Sequence, residues 1–233
     1  MRTIGIIPAR GGSKGIPRKN LAPLLGKPLL AYTIEAAKAS QFLTDIVVST
    51  EDQEIGTVSR DWGAQVPFYR PAELATDKAL SVPVVLHALR EMEQITSKPY
   101  DIVVMLQPTS PLRSAHDIDS GIQLLLDTGA DSVISVVDVG GHHPFRMKRV
   151  VGQNILINYI DQGFEDMRPR QELPPVYIRS GALYIVRRSI LADQQTFVGR
   201  DCRAYVMPEH RAINIDTRMD LILAEQLLRQ AGE

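Results

Sequence analysis

Thr3-Ile4-Gly5-Ile6-Ile7-Pro8-Ala9-Arg10-Gly11-Gly12-Ser13-Lys14-Gly15-Ile16-Pro17-Arg18-Lys19-Asn20 is the stretch on which the fold turns. Its first five residues have no charged face, as expected of a strand covered on both sides in a parallel sheet. Pro8 closes that strand. Prolines at 8, 17, 23 and 28 and glycines at 11, 12, 15 and 26 then put too many breakers in the chain for a regular element before Leu29. A buried strand running straight into a long polar loop is how a ligand-binding α/β fold begins.

The same pattern recurs downstream. Asp45–Ser49 predicts a second strand, followed by a helix for which Thr50 is the expected cap, with Glu51, Asp52 and Glu54 suiting its positive end; Gly63 ends it. Val66–Tyr69 predicts another short strand. Asp101–Leu106 is again apolar and stops at the loop Gln107-Pro108-Thr109-Ser110-Pro111, and Asp131–Val137 predicts one more strand. Between them Leu29–Ser40, Val84–Ile95 and Ser114–Asp127 carry apolar residues at helical spacing. This alternation implies right-handed crossovers, a mainly parallel sheet with helices, and ligands at the carboxyl ends of the strands. The rhythm breaks between about 138 and 178, where glycines, prolines and short pieces such as Asn154–Tyr159 read as a β-rich insertion for substrate contact or dimerisation. Gly181–Val186 returns to the sheet and Thr217–Gln230 predicts a closing helix.

A chain of 233 residues accommodates one large domain or two small ones, and the continuous alternation favours a single domain over 1–233. Lys and Arg (26) nearly balance Asp and Glu (27), so no global field favours nucleic acid or a membrane surface, and any polyanion must be held by a local cluster. The lone cysteine, Cys202, excludes an internal disulfide or a CxxC metal site and reads as an inert strand residue. Arg2 leads directly into the first strand and no apolar run reaches the roughly 20 residues of a membrane span, so a cytoplasmic protein without a secretory leader is expected.

Chemistry concentrates in the first loop. Arg10, Lys14, Arg18 and Lys19 fall within ten residues and no acid precedes Glu35, so the field there is expected to be uncompensated locally. Gly11, Gly12 and Gly15 let backbone N–H groups approach an anion, and Arg10, Lys14 and Lys19 can neutralise it, which describes a triphosphate cradle. Neither GxxxxGK[ST] nor GxGxxG is present, and the alternative is a solvated basic loop with glycines serving tight turns.

Residues 4–20, IGIIPARGGSKGIPRKN, resemble the signature of the acylneuraminate cytidylyltransferases. The likeness continues in order through Ser49-Thr50-Glu51-Asp52, Arg70-Pro71-Ala72-Glu73-Leu74-Ala75, His87-Ala88-Leu89, Leu106–Arg113, Arg170-Gln171-Glu172-Leu173-Pro174, Ser180–Ile185 and Ile213–Thr217. The resemblance implies a three-layer nucleotidyltransferase α/β sandwich. It also implies a homodimer built through the insertion, and transfer of CMP from CTP to a nonulosonic acid with Mg2+ (or Mn2+) as cofactor. N-acylneuraminate is the first expected substrate, with legionaminate, pseudaminate or ketodeoxyoctonate as alternatives.

By the same resemblance Arg10 and Lys19 contact the triphosphate and act in catalysis. Gly11, Gly12, Ser13 and Lys14 support that loop, and Asn20, Arg70 and Ser81 hold the nucleotide. Gln107 and Tyr177 face the sugar. Arg170 is the expected partner of its carboxylate, for which a guanidinium is suited, with Arg168 and Arg179 as rivals. Asp216, with Asn214 beside it, is the expected metal position. The family often has Asp-Ile-Asp where this chain has Asn214-Ile215-Asp216, so one charge is missing. Alternation along a strand would put 214 and 216 on one face, while Asp216 could instead cap the last helix. His142 and His143 are adjacent and have no acidic cluster beside them, and they read as loop or dimer contacts. Two other readings stay open: a nucleotide-sugar binding module without turnover, motivated by Asn214, and an enzyme charging sugar 1-phosphates, which needs no carboxylate-binding arginine.

Overall fold

A computed structural model describes residues 1–231. The chain builds β1 (Thr3–Pro8), the short ribbon β2 (Pro23–Leu24) and β3 (Lys27–Pro28), α1 (Leu29–Lys38), β4 (Asp45–Ser49), α2 (Gln53–Asp61), α3 (Ser81–Thr96) and β5 (Ile102–Met105). It continues through α4 (Ala115–Thr128), β6 (Ser132–Asp138), the hairpin β7 (Lys148–Val151) and β8 (Ile155–Asn158), β9 (Tyr177–Arg187), α5 (Arg188–Gln194), β10 (Cys202–Val206) and α6 (Arg218–Ala231).

Six strands form one sheet in the order β10-β6-β9-β5-β1-β4. β1 pairs in parallel with β4 and β5, and β6 with β10. β9 alone runs against its neighbours, because the insertion before it supplies no crossover helix to return the chain to the other end of the sheet. Alternate residues serve opposite faces. Ile7, Val48, Val104 and Ile185 pack with α1, α2 and α4, while Ile6, Val47, Val103 and Val186 pack with α3 and α5. The result is a helix–sheet–helix sandwich around a mainly parallel sheet, as expected. A third apolar cluster, including Ile16, Leu24, Leu29, Leu112, Ile215 and Ala224, sews the first loop to α1 and α6.

Several local expectations are corrected. Asp52, not Thr50, caps α2: its Oδ1 accepts from the Ile55 N–H at 3.0 Å. Thr50 is fully buried and its hydroxyl accepts from the Asp52 N–H at 3.1 Å, so it finishes the strand end rather than starting the helix. Residues 66–69 form no strand. Only Gln65 bridges Val47, and Pro67, lacking an N–H, cannot extend the ladder. Asn214 and Asp216 lie in an irregular segment, not on a strand, though a hydrogen bond holds their side chains together. Ser114 caps α4 in a reciprocal capping box with Asp117.

Residues 138–178 hold the β7–β8 hairpin and short 3-10 turns but no longer helix. The hairpin and the chain after it expose Val150, Ile155, Leu156, Tyr159, Phe164 and Met167. His143 is buried there: its Nε2 lies 3.1 Å from the Pro174 carbonyl and its Nδ1 accepts from the Phe145 N–H, so it braces the insertion, while His142 is exposed. Cys202 opens β10, half-buried, so the expected strand position is found. Among the described residues no helix is long and apolar enough to cross a membrane.

Candidate active site

The carboxyl end of β1 opens into a cavity of about 320 Å³ lined by Arg10, Gly12, Ser13, Lys19, Asn20, Arg70, Asp77, Ser81, Gln107 and Thr109, among others. The ends of β1 and β5 meet there, because these parallel neighbours stop at the same edge of the sheet, where β4 also ends. The first loop is fastened over it. Arg18 takes the left-handed conformation (φ 54°) and turns the chain into a 3-10 turn at Lys19–Leu21. Asn20, buried, donates through Nδ2 to the Arg10 carbonyl at 2.9 Å, so it braces the loop as well as lining the cavity.

The positive field of this loop is compensated, contrary to the expectation from the local sequence. Asp77 joins Arg10 at 2.8 Å and Lys14 at 3.1 Å. Arg18 pairs with Asp52 and Glu54, and Lys19 donates to Asp216 at 2.9 Å and to the Ile215 carbonyl at 2.8 Å. Hydrogen bonding to Lys14, with Arg10 close by, holds the Asp77 carboxyl below its usual range; Arg18 does the same to Asp52. Gly11 also departs from the expected role. Its N–H donates to Glu51 at 2.7 Å, and a Cβ there would meet Asp52 Oδ2 at 2.5 Å, so this glycine allows protein groups to pack. Gly12 is different. Open space surrounds its would-be Cβ, leaving backbone for a ligand to approach.

Arg70 is buried to 6% exposure and donates to Glu51 at 3.2 Å; burial pushes its guanidinium pKa down, and Arg10 nearby adds to that. Glu51 thus ties Arg70 and the Gly11 backbone to one carboxylate. Ser81 opens the sixteen-residue helix α3, whose N-terminal end, with its unbonded N–H groups and positive dipole, borders the cavity. A second cavity of about 420 Å³ shares Ser81 and Gln107 with the first and is lined further by Arg179, Tyr184 and Phe197.

Other expected residues lie outside these cavities. Lys14 pairs with Asp77 at the edge of the first. Arg170, mostly exposed, lies 3.6 Å from Asp138, and Tyr177 pairs with Asp138 in the β6–β9 ladder, so both sit where the insertion meets the sheet. Arg168 is engaged through two hydrogen bonds with Asp166, whose carboxyl it holds down at about 2. Of the three candidate arginines, Arg179 is the one beside Gln107. Asp77 and Glu51 were not expected as partners of the basic loop. Their signal was the two acids in each of the segments 70–80 (Glu73, Asp77) and 49–52 (Glu51, Asp52) that the loop must fold against, visible only once the strand ends are placed together.

Among the described residues no three His, Cys, Asp or Glu side chains come together to hold a metal ion, so a divalent cation at the expected position would have only Asp216 and Asn214 from the protein. Asn214 Nδ2 donates to Asp216 Oδ2 at 2.7 Å, and Asn214 Oδ1 is buried without a partner. That orphaned oxygen beside a carboxylate fits a hydrated magnesium ion that takes one or two protein oxygens and completes its shell with water and phosphate. Asp216 does not cap α6. Thr217 Oγ1 accepts from the Asp220 N–H there, while Asp220 accepts from the N–H groups of Asp216 and Thr217.

Comparison with known proteins is in keeping with this geometry. The Cytidylyltransferase family profile matches residues 4–200. The CMP-N,N'-diacetyllegionaminic acid synthase of Legionella pneumophila is 34% identical over 229 residues, 98% of this chain and 97% of the other. The N-acylneuraminate cytidylyltransferase of Escherichia coli is 35% identical over 96% of this chain, which spans about half (52%) of that longer protein. The pseudaminic acid cytidylyltransferase of Campylobacter jejuni is 31% identical over 98% of this chain and 97% of its own. Among solved structures, a CMP:2-keto-3-deoxy-manno-octonic acid synthetase complexed with CTP shares the fold with a TM-score of 0.72 at 18% identity, covering 99% of this chain and all of the other. With its profile match running from β1 almost to β10 and such relatives along nearly its whole length, this chain belongs to the cytidylyltransferase family that includes the N-acylneuraminate, legionaminic acid and pseudaminic acid enzymes.

Proposed function

We propose that the protein is a cytoplasmic enzyme that transfers CMP from CTP to a nonulosonic acid and releases pyrophosphate, with N-acylneuraminate as the first substrate to test and legionaminate and pseudaminate next. The observation that carries this reading is the pair of adjoining cavities. One is walled by the basic loop and the N-terminal end of α3; the other reaches Arg179, and Gln107 and Ser81 belong to both. A triphosphate fits the first wall, where Arg10, Lys19, Ser13 and the Gly12 backbone can take its oxygens. An acidic sugar fits the second, with the Gln107 amide able to donate and accept and an arginine on the carboxylate. Arg179 lines that cavity together with Gln107, which supports it for the pairing over Arg170, which would need the insertion to approach.

In the proposed reaction the sugar's anomeric hydroxyl attacks the α-phosphorus, a new O–P bond forms, the bond to the β-phosphate breaks, and the hydroxyl proton leaves to solvent or a nearby base. The chain's residues hold the two anions in line and spread charge on the phosphoryl oxygens, the usual protein contribution to phosphoryl transfer. To do so Arg10 and Lys14 exchange Asp77 for phosphate. Magnesium or manganese, held by Asp216 with Asn214, would neutralise phosphate charge. A second copy of the chain is the proposed partner of the apolar hairpin surface, testable by molar mass in solution.

Pyrophosphate release from CTP with magnesium, measured across neuraminate, legionaminate, pseudaminate, ketodeoxyoctonate and a sugar 1-phosphate, tests the reading. Turnover with one 2-keto acid sugar is expected. CTP binding with no turnover on any of them would point instead to the binding module, and turnover only on the 1-phosphate to the other enzyme class.

A further inference from the structure

Arg113 ends the loop that carries Gln107 and lines neither cavity. Its side chain is almost wholly buried, at 2% exposure, and among the described residues it makes no ion pair. Nη1 donates to the Gln107 carbonyl at 3.1 Å and to the Ala182 carbonyl at 2.8 Å, while Nη2 donates to Thr33 Oγ1 at 2.5 Å. One guanidinium thus joins the end of β5, the middle of β9 and the helix α1. Burial lowers its pKa to about 9 against the opposing pull of the Asp117 carboxylate, which acts without a hydrogen bond, so it remains a cation at neutral pH. A buried charge with only neutral acceptors is costly, and a fold seeking stability alone would do as well with an apolar side chain.

The joined carbonyls lie where Gln107 needs a wall. Ala182 follows Gly181, which has φ +81° and sits where the β6–β9 register shifts. A Cβ at Gly181 would fall 2.7 Å from Gln107 Oε1 and 3.3 Å from Asn214 Oδ1, so the glutamine amide rests against bare backbone. Arg113 grips both sides of that contact: the backbone of Gln107 and the residue after Gly181. A lysine could reach one of these acceptors but has no planar fork to hold them together.

We propose that Arg113 is a positioning residue that locks Gln107 against Gly181, so that the amide projects into the two cavities at a fixed angle. This rests on the reading that Gln107 meets the sugar. Arg113→Lys keeps a charge and removes the fork. It should raise the sugar KM and lower kcat/KM for the sugar by about tenfold, the scale expected of a sub-ångström misplacement, while the CTP Kd measured by calorimetry stays nearly unchanged. Combined with Gln107→Ala it should cost no more than Gln107→Ala alone, since both changes remove one function. Additive losses, or a lower melting temperature and weaker CTP binding with the sugar KM untouched, would make Arg113 merely structural and overturn the proposal. If Gln107→Ala itself leaves kcat/KM for the sugar unchanged, the reading of Gln107 fails and the proposal falls with it. Should Arg113→Lys be unfolded at the assay temperature, Arg113→Gln, which keeps a donor and leaves the long Thr33 Oγ1 bond to the Gln107 carbonyl in place, takes its role: the same sugar-specific shift, absent in the Gln107→Ala background, supports the proposal, and no such shift overturns it.

Discussion

Replacing Asn214 with aspartate puts a second carboxylate where the chain now has a donor. In the structure Asn214 Nδ2 gives its hydrogen to Asp216 Oδ2 at 2.7 Å, and Lys19 holds the other oxygen of Asp216 at 2.9 Å. The variant loses the first bond and brings two negative charges to about 3–4 Å. At that separation repulsion is about 1 kcal/mol in water and several times that in a protein interior. The Asp216 side chain is 66% exposed and Lys19 is in contact, so the lower end applies, about 1–2 kcal/mol. Adding the lost hydrogen bond gives about 2 kcal/mol of destabilisation without metal, which for a chain of this size lowers the melting temperature by about 4–8 °C. A divalent cation between the carboxylates reverses the sign of the interaction, and a recovered 1.4 kcal/mol corresponds to about tenfold tighter binding. Thermal unfolding in EDTA and in a magnesium series, with manganese binding followed by electron paramagnetic resonance, reads both effects. If N214D melts with wild type in EDTA, or gains no more from magnesium than wild type does, Asn214 and Asp216 do not form the cation position.

Asp77→Asn removes the internal carboxylate from Arg10 and Lys14, and should tighten CTP and pyrophosphate binding about two- to fivefold by calorimetry, the range for exposed ion pairs; weaker binding would make Asp77 a ligand contact rather than a competitor. Arg179→Ala should raise the sugar KM more than Arg170→Ala does in a pyrophosphate-release assay, because only Arg179 lines the cavity beside Gln107; the reverse order would return the carboxylate to the insertion. Tyr100 is buried with its hydroxyl donating to Asp45 at 2.8 Å, and burial first, then that bond, pushes its pKa up to about 12. A raised folded pKa leaves stability intact below the ordinary tyrosine value near 10 and removes it as pH climbs towards 12. Tyr100→Phe should therefore flatten the alkaline limb of unfolding monitored by circular dichroism, and an unchanged limb would count against this buried hydroxyl as its source.

The elements that were legible are those whose cause is local. Apolar runs such as Asp45–Ser49 and helical stripes such as Ile118, Ile122 and Leu125 encode strand and helix within a few residues, and the breaker-rich stretch after Pro8 marks the loop that becomes the cavity wall. What could not be read depends on chain segments that meet only after folding. Val66–Tyr69 had strand-like composition, but pairing needs a neighbour that Pro67 cannot bond to. Thr50 is as good a cap as Asp52 in isolation, and is lost to that role because β4 carries it into the core. Arg170 carries the family's motif yet stands away from both cavities, whereas Arg179, with no motif to mark it, is brought to Gln107 by the antiparallel course of β9.

Charge shows the same limit most plainly, and with a consequence for binding. Counting along residues 1–34 finds cations and no acid, yet Asp52, Glu54, Asp77 and Asp216 come from three distant segments to meet Arg10, Lys14, Arg18 and Lys19. A basic loop left without partners would repel itself and stay open; paired, it is held in one shape, and under the proposed function each phosphate contact would displace a carboxylate. On that proposal, affinity at this loop would be the difference between phosphate and carboxylate on the same cations. Removing the competing acid at 77 should therefore strengthen binding, although it removes two of the contacts that order the loop.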